Sequence, residues 1–194
     1  MSFLTDSSSN NFTVTAYGDT SPNTSIKKFG ISSAYFDGNG DYIETPNNPI
    51  FDFSVGDWTI EFWMYADTQN DKHILSNIGP GTGGINIYID DSQNITYNNG
   101  INTTSVGTSY SPYWNQWTHI ALARLGTTIT MYVNGVVAGT PTTQTPETSQ
   151  FLFIGKSGYS GYDFTGYIDD LRITMGIARY TANFTPPIVP FPNS

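Results

Sequence analysis

The stretch 56–66 alternates strictly. Trp58, Ile60, Phe62 and Met64 fall on one face, and Thr59, Glu61, Trp63 and Tyr65 on the other. A period of two is that of an extended strand, because successive side chains point to opposite sides of the backbone. The first face is wholly apolar and must lie against a core. The second mixes a carboxylate with aromatic rings, which suits a half-exposed face or a groove. Wound into a helix, the same residues would spread apolar groups all round. The stretch therefore reads as the central strand of an inner sheet.

Shorter pieces repeat the pattern at 12–16, 33–36, 41–45, 73–78, 85–89, 94–97, 118–124, 128–133, 136–138, 151–155 and 167–174. Turn chemistry separates them. Asp37-Gly38-Asn39-Gly40 offers glycines for positive φ. Asp90-Asp91-Ser92-Gln93 reads as a hairpin loop, and Asn134-Gly135 between alternating strands marks a type I′ turn. The glycine-rich run 79–84 is followed by neither a lysine nor a helix, so it is not a phosphate cradle. Residues 178–181 read as one helical turn, and from Pro186 onward the chain reads as a Pro-rich tail without a fold of its own. No charged or Pro-rich linker divides the rest. The pattern predicts one all-β domain over 1–185, an antiparallel two-sheet jelly-roll sandwich, followed by the tail 186–194.

Composition narrows the chemistry. The 194 residues contain no cysteine, which removes disulfides and thiolate metal sites. Seven Lys and Arg stand against sixteen Asp and Glu, for a formal net charge of −9. A grip on nucleic acid needs a basic stripe, and the few cations are scattered. An anionic membrane is disfavoured for the same reason. No apolar run reaches spanning length, and no basic region followed by an apolar run opens the chain, so neither insertion nor a leader is expected.

Several stretches together resemble a known family. They are 34–43 (Ala34-Tyr35-Phe36-Asp37-Gly38-Asn39-Gly40-Asp41-Tyr42-Ile43), 57–63 (Asp57-Trp58-Thr59-Ile60-Glu61-Phe62-Trp63) and 116–121 (Gln116-Trp117-Thr118-His119-Ile120-Ala121) with Arg124. Met131-Tyr132-Val133-Asn134-Gly135, Phe153-Ile154-Gly155 and 166–173 complete the set. In order and spacing they resemble the laminin-G-like, concanavalin-A-like jelly rolls. The closing segment 178–187 is similar to versions found in bacteriophage structural proteins. Only Ser2-Phe3-Leu4 precede Asp6, which leaves the edge pairing of the last strand unassigned.

The resemblance implies a non-enzymatic virion component of capsid decoration, tail or fibre, located on the particle. It would bind other virion proteins or a surface glycan, as an oligomer or docked on a larger assembly. A stand-alone lectin or a laminarinase-like hydrolase are the alternatives. Glycosidases of this fold place paired acids on one strand face. Glu occurs only at Glu44, Glu61 and Glu147, and no such pair is spaced for catalysis. No catalytic residue is expected, and Glu61 reads as a carboxylate satisfied by neighbouring strands. Of the two histidines, His119 reads as structural.

Two sites are expected. Asp37, Asn39 and Asp41 present oxygens at alternate positions. With Asp169 or Asp170 they would form a structural Ca²⁺ site; a self-bonded Asp/Asn/Gly turn is the alternative. Tyr110, Tyr113, Trp114, Tyr159 and Tyr162 lie on predicted loops, where exposed rings would stack on a glycan; folding over the ends of the sandwich is their alternative.

Overall fold

A computed structural model describes residues 4–78, 83–101 and 106–192 of the chain. Fourteen strands, numbered along the chain, form two antiparallel sheets of seven. In spatial order, sheet one contains β1 (Thr15–Tyr17), β4 (Tyr42–Glu44), β13 (Phe153–Ile154), β6 (Lys72–Ser76), β7 (Asn86–Ile89), β8 (Asn94–Asn98) and β9 (Val106–Ser109). Sheet two contains β12 (Val136–Val137), β11 (Thr128–Val133), β10 (Thr118–Leu125), β5 (Trp58–Tyr65), β14 (Thr165–Met175), β3 (Ser33–Asp37) and β2 (Ser21–Asn23). The all-β sandwich read from the pattern is the observed one.

The core fills the space between the sheets. Trp58, Ile60, Phe62 and Met64 of β5 lie there fully buried, with Ile120 and Leu122 of β10 and Met131 of β11. Ile74, Ile87, Ile95 and Tyr97 meet them from sheet one. Two hairpins follow their turn chemistry. Asn134 and Gly135 both take positive φ, at 48° and 76°, as a type I′ turn requires. Asp90 closes the β7–β8 loop by exchanging backbone hydrogen bonds with Asn94 and Gln93.

Other elements differ from expectation. β3 and β4 flank the 37–41 turn but belong to different sheets, so this turn carries the chain across the sandwich rather than closing a hairpin. β2 contains Pro22, which hid it in the sequence. It is tolerated because β2 is an edge strand, where a missing N–H costs no ladder bond. Residues 178–181 form no helical turn. The chain after β14 has no regular structure, yet it lies along the outer face of sheet two: Tyr180 and Phe184 pack against Ala121, Ala123 and Tyr132. No helix among the described residues is long and apolar enough to cross a membrane.

Candidate functional site

The outer face of sheet two has two halves, and β5 runs through both. One half is sealed. Glu61 is fully buried at its centre. Its Oε1 accepts from Arg172 Nε (2.9 Å) and Nη2 (2.7 Å), and its Oε2 accepts from the Tyr180 hydroxyl (2.7 Å). His119 Nε2 lies 3.3 Å from Oε2 without the alignment of a hydrogen bond. Burial alone would raise the Glu61 pKa. The polar contacts from His119, Tyr180 and Arg172, with the guanidinium charge, outweigh it and hold the group below the ordinary carboxylate range. The Tyr180 hydroxyl is pushed up, by burial first and then by Glu61.

The tail forms the roof over this half. Phe184 stacks on Tyr180 with centroids 3.5 Å apart and meets His119 edge-on at 5.6 Å. Arg172 lies 4.0 Å over the Phe191 ring. The backbone also ties the tail down: Thr59 Oγ1 donates to Ile177 O (3.0 Å), and Phe191 N–H donates to Asp170 Oδ2 (2.9 Å). Beside this roof, Lys28 and Phe29 cover Trp63, with the ammonium 3.8 Å from the ring centroid. Glu61 therefore has both oxygens committed and no route to solvent. Burial, then the charges of Asp169 and Glu61, raise the Asp170 pKa, and its carboxylate holds the tail.

The other half is open. Register places Tyr35 of β3 opposite Tyr167 of β14, and Tyr167 opposite Tyr65 of β5. Trp117 precedes β10 and stands beside Tyr65. Four rings thus stand in one row, from β3 across β14 and β5 to the entry of β10, with centroids 5.0, 5.8 and 5.7 Å apart. All four are half-buried. The pairs are tilted at 37°, 79° and 61°, so the row forms a corrugated groove rather than a flat plate.

A hollow of about 270 Å³ is lined by Tyr35, Tyr65 and Tyr167 of this row, with Asp67 and Asn115 on its wall. Asn115 takes φ 58° and anchors its N–H on Ala66 O (2.8 Å). Gln69 pins the strand entry, donating to Thr165 O (2.8 Å) and accepting from Thr165 N–H (3.1 Å). Gly166 allows the close approach. A Cβ there would lie 2.5 Å from the Tyr65 carbonyl oxygen, and its φ is 143°. Burial, then Tyr35, Tyr65 and Asp67, raise the Tyr167 pKa, so its hydroxyl stays a proton donor at neutral pH.

The sites expected from sequence lie elsewhere. Asp37 Oδ1 accepts from Asn39 N–H (2.8 Å). Asp41 is buried, and its two oxygens accept from the N–H groups of Asp19 (2.6 Å) and Asp37 (2.9 Å). Asp169 Oδ2 accepts from Lys28 and Phe29 N–H, at 2.7 and 3.0 Å. Because Asp37 pairs with Thr165, Asp169 lies four residues along β14, about 13 Å away. The two acid pairs do not meet and do not fit one cation. Among the described residues, no group of three His, Asp or Glu side chains is arranged to hold a metal.

The loop aromatics also divide. Tyr110 is fully buried and packs edge-on against Trp114 at 4.6 Å. Tyr113 and Trp114 lie half-buried against the same core, so these three rings close the end of the sandwich, Tyr110 sealed and the other two part-exposed. The apolar rings gain more from filling that end than from standing in water. Tyr162 lies 5.3 Å from the His73 ring, which stacks on Tyr88, and Tyr159 is half-buried on the same loop. Sequence reading sought rings on loops and missed a row of which three members lie on strands. The mixed outer face of β5, with Tyr65, was the available signal.

Comparison with known proteins sets the fold in context. The structure is similar to the binding domain of botulinum neurotoxin serotype D, at 16% identity and a TM-score of 0.65, covering 86% of this chain and 44% of that one. The serotype G binding domain matches at 17% identity and 0.65, covering 94% and 46%. Domain 4 of AbnA, a GH43 extracellular arabinanase from Geobacillus stearothermophilus solved with arabinotriose, matches at 18% and 0.59, covering 86% and 82%. The chain thus spans under half of the toxin binding domains it matches. No curated protein matches it by sequence. A laminin-G-type family model matches residues 37–176, the span from the crossover turn to the end of β14, and by that match the chain belongs to the concanavalin A-like lectin/glucanase superfamily.

Proposed function

We propose that this chain is a non-enzymatic glycan-binding module. The observation that carries the reading is the row Tyr35, Tyr167, Tyr65 and Trp117 beside a hollow with Asp67 and Asn115. Sugars present C–H faces to aromatic rings and hydroxyls to carboxylates and amides. A groove of half-exposed rings edged by both groups offers each of them. The ring spacing is close to the rise of one sugar unit, which favours a short linear oligosaccharide over a lone terminal sugar. The similar arabinanase domain was solved with arabinotriose, which supports this class. The non-enzymatic part rests on Glu61, whose oxygens are both taken and whose face is roofed. The resemblance of 178–187 to phage structural versions carries the further reading that the module works on a virion. Its presence in purified particles tests that part.

Binding is tested by a glycan array followed by calorimetric titration of the best linear oligosaccharide. Affinity is expected at millimolar or tighter. Tyr167→Ala or Trp117→Ala should weaken it by about tenfold, roughly 1.4 kcal/mol. Trp114→Ala should leave the affinity of the folded fraction unchanged. Absence of binding to any glycan, or equal loss through Trp114→Ala, overturns the reading, and sugar release from a polysaccharide overturns its non-enzymatic part.

A further inference from the structure

Among the described residues that line the hollow at the tyrosine row, Asp67 alone carries a charge. It follows β5 by two positions and is exposed, so its carboxylate is free to meet a ligand. After burial and the two neighbouring tyrosines, Asp67 adds to the rise of the Tyr167 pKa, so its charge reaches the middle of the row.

None of the seven cations of the chain lines the hollow. Lys27 and Lys28 come nearest along the chain, just after Ile26, which does line it. Lys28 holds its ammonium over the Trp63 ring in the roofed half, and Lys27 Nζ donates to Ile31 O (3.4 Å). Lys72 Nζ donates to Gly161 O (3.3 Å), and Lys156 lies 3.3 Å over the Tyr42 ring on the other sheet. Arg172 and Arg179 face Glu61, at 2.7 and 4.0 Å. Arg124 Nη1 donates to the carbonyls of Phe53 and Ser54. Further acid does lie close: Asp37 is exposed and stands opposite Thr165, another lining residue. The hollow is thus a negative site with every cation engaged elsewhere.

We infer that Asp67 sets a charge preference in the groove: a linear oligosaccharide carrying protonated amines binds best, its neutral counterpart next, and one carrying carboxylates least. The inference rests on the glycan-binding reading above. A sugar ammonium or hydroxyl donates to the Asp67 carboxylate, whereas a sugar carboxylate offers it no donor and a like charge. The Asn115 amide and the tyrosine hydroxyls both donate and accept, so they hold a sugar without choosing its charge. Because Asp67 is exposed, salt screens the preference.

The test is an array of linear trisaccharides of several linkages, each in neutral, 2-amino and C6-oxidised uronate form, followed by titration of the 194-residue protein. Cellotriose, the glucosamine trisaccharide and the C6-oxidised tri-uronate of cellotriose form the matched set for one linkage. At low salt the neutral form should bind about fivefold or more tighter than the uronate, and the amino form tighter still. In about 1 M NaCl, where the Debye length falls to about 3 Å, the three should converge. Asp67→Asn keeps an acceptor oxygen and removes the charge, so the ratio of neutral to uronate affinity should fall towards one at low salt. That ratio is unmoved by a merely structural role of Asp67. Equal binding of neutral and uronate forms at low salt, or a preference that survives both salt and Asp67→Asn, overturns the inference and leaves the glycan reading standing. Absence of binding by every form overturns the glycan reading and this inference with it.

Discussion

One face of one sheet carries two opposite solutions. Around Glu61, the polar and aromatic side chains of β5, β10 and β14 are roofed by the tail, and every oxygen of the carboxylate is spoken for. Around Tyr65, side chains at equivalent strand positions are left half-exposed in a row. The strands are the same, so strand chemistry does not decide which half binds. The cover decides. A buried carboxylate without partners would cost several kcal/mol, so the Glu61 half demands closure, whereas tyrosine and tryptophan tolerate a wet edge.

The sharpest way to break this contrast is Arg172→Ala. It leaves Glu61 buried without its guanidinium, and stability should fall by about 3–5 kcal/mol in denaturant titration. The affinity of the folded fraction for glycan should hold, since Arg172 stands outside the row. A loss confined to the surface-pair range, below about 1 kcal/mol, would mean the sealed half is not sealed.

Acid should act on the fold rather than on the groove. Burial pushes His73 down to about 4, so the unfolded chain takes up that proton first as pH falls. The resulting stability is fully present above pH 6.5 and is lost between there and about pH 4, by roughly 3 kcal/mol. His73→Phe keeps a ring against Tyr88 and Tyr162 and should flatten that part of the stability–pH curve.

Gly166→Ala joins the two halves. The added Cβ meets the Tyr65 carbonyl at a φ that favours glycine, and the strain should cost about 1–3 kcal/mol. It should also weaken glycan binding by displacing the centre of the row, which a melting curve and a titration on the same sample would show. The smallest effect on stability is expected from Tyr167→Ala, below about 1 kcal/mol for a half-exposed ring, although it should lower glycan affinity by about tenfold. A large melting shift there would mean that the row is core in disguise.

Periodicity was enough for the fold where one face is buried. The alternation of 58–65 and the Asn134-Gly135 turn carry their geometry in the residues themselves. The sites were less legible because they depend on what covers what. Tyr110 and Tyr65 are both aromatic residues near turns, yet one is sealed and the other open. The difference comes from neighbours distant in sequence. Asp37 and Asp169 looked like one ligand set until register set them apart along β14. Glu61 was read correctly as a satisfied carboxylate, but its Tyr180 partner lies 119 residues on, beyond any local pattern.

That separation has a consequence for how the chain is made. At ribosomal speeds of about 5–20 residues per second, Glu61 emerges roughly 6–24 s before Tyr180. Its counter-charge, Arg172, follows after 111 residues, and until Tyr180 its sheet has no roof. The segment from Ile177 to Phe191 therefore acts as a clasp, and a nascent chain that lacks it would present the Glu61 face bare, a surface suited to holdase chaperones and proteases.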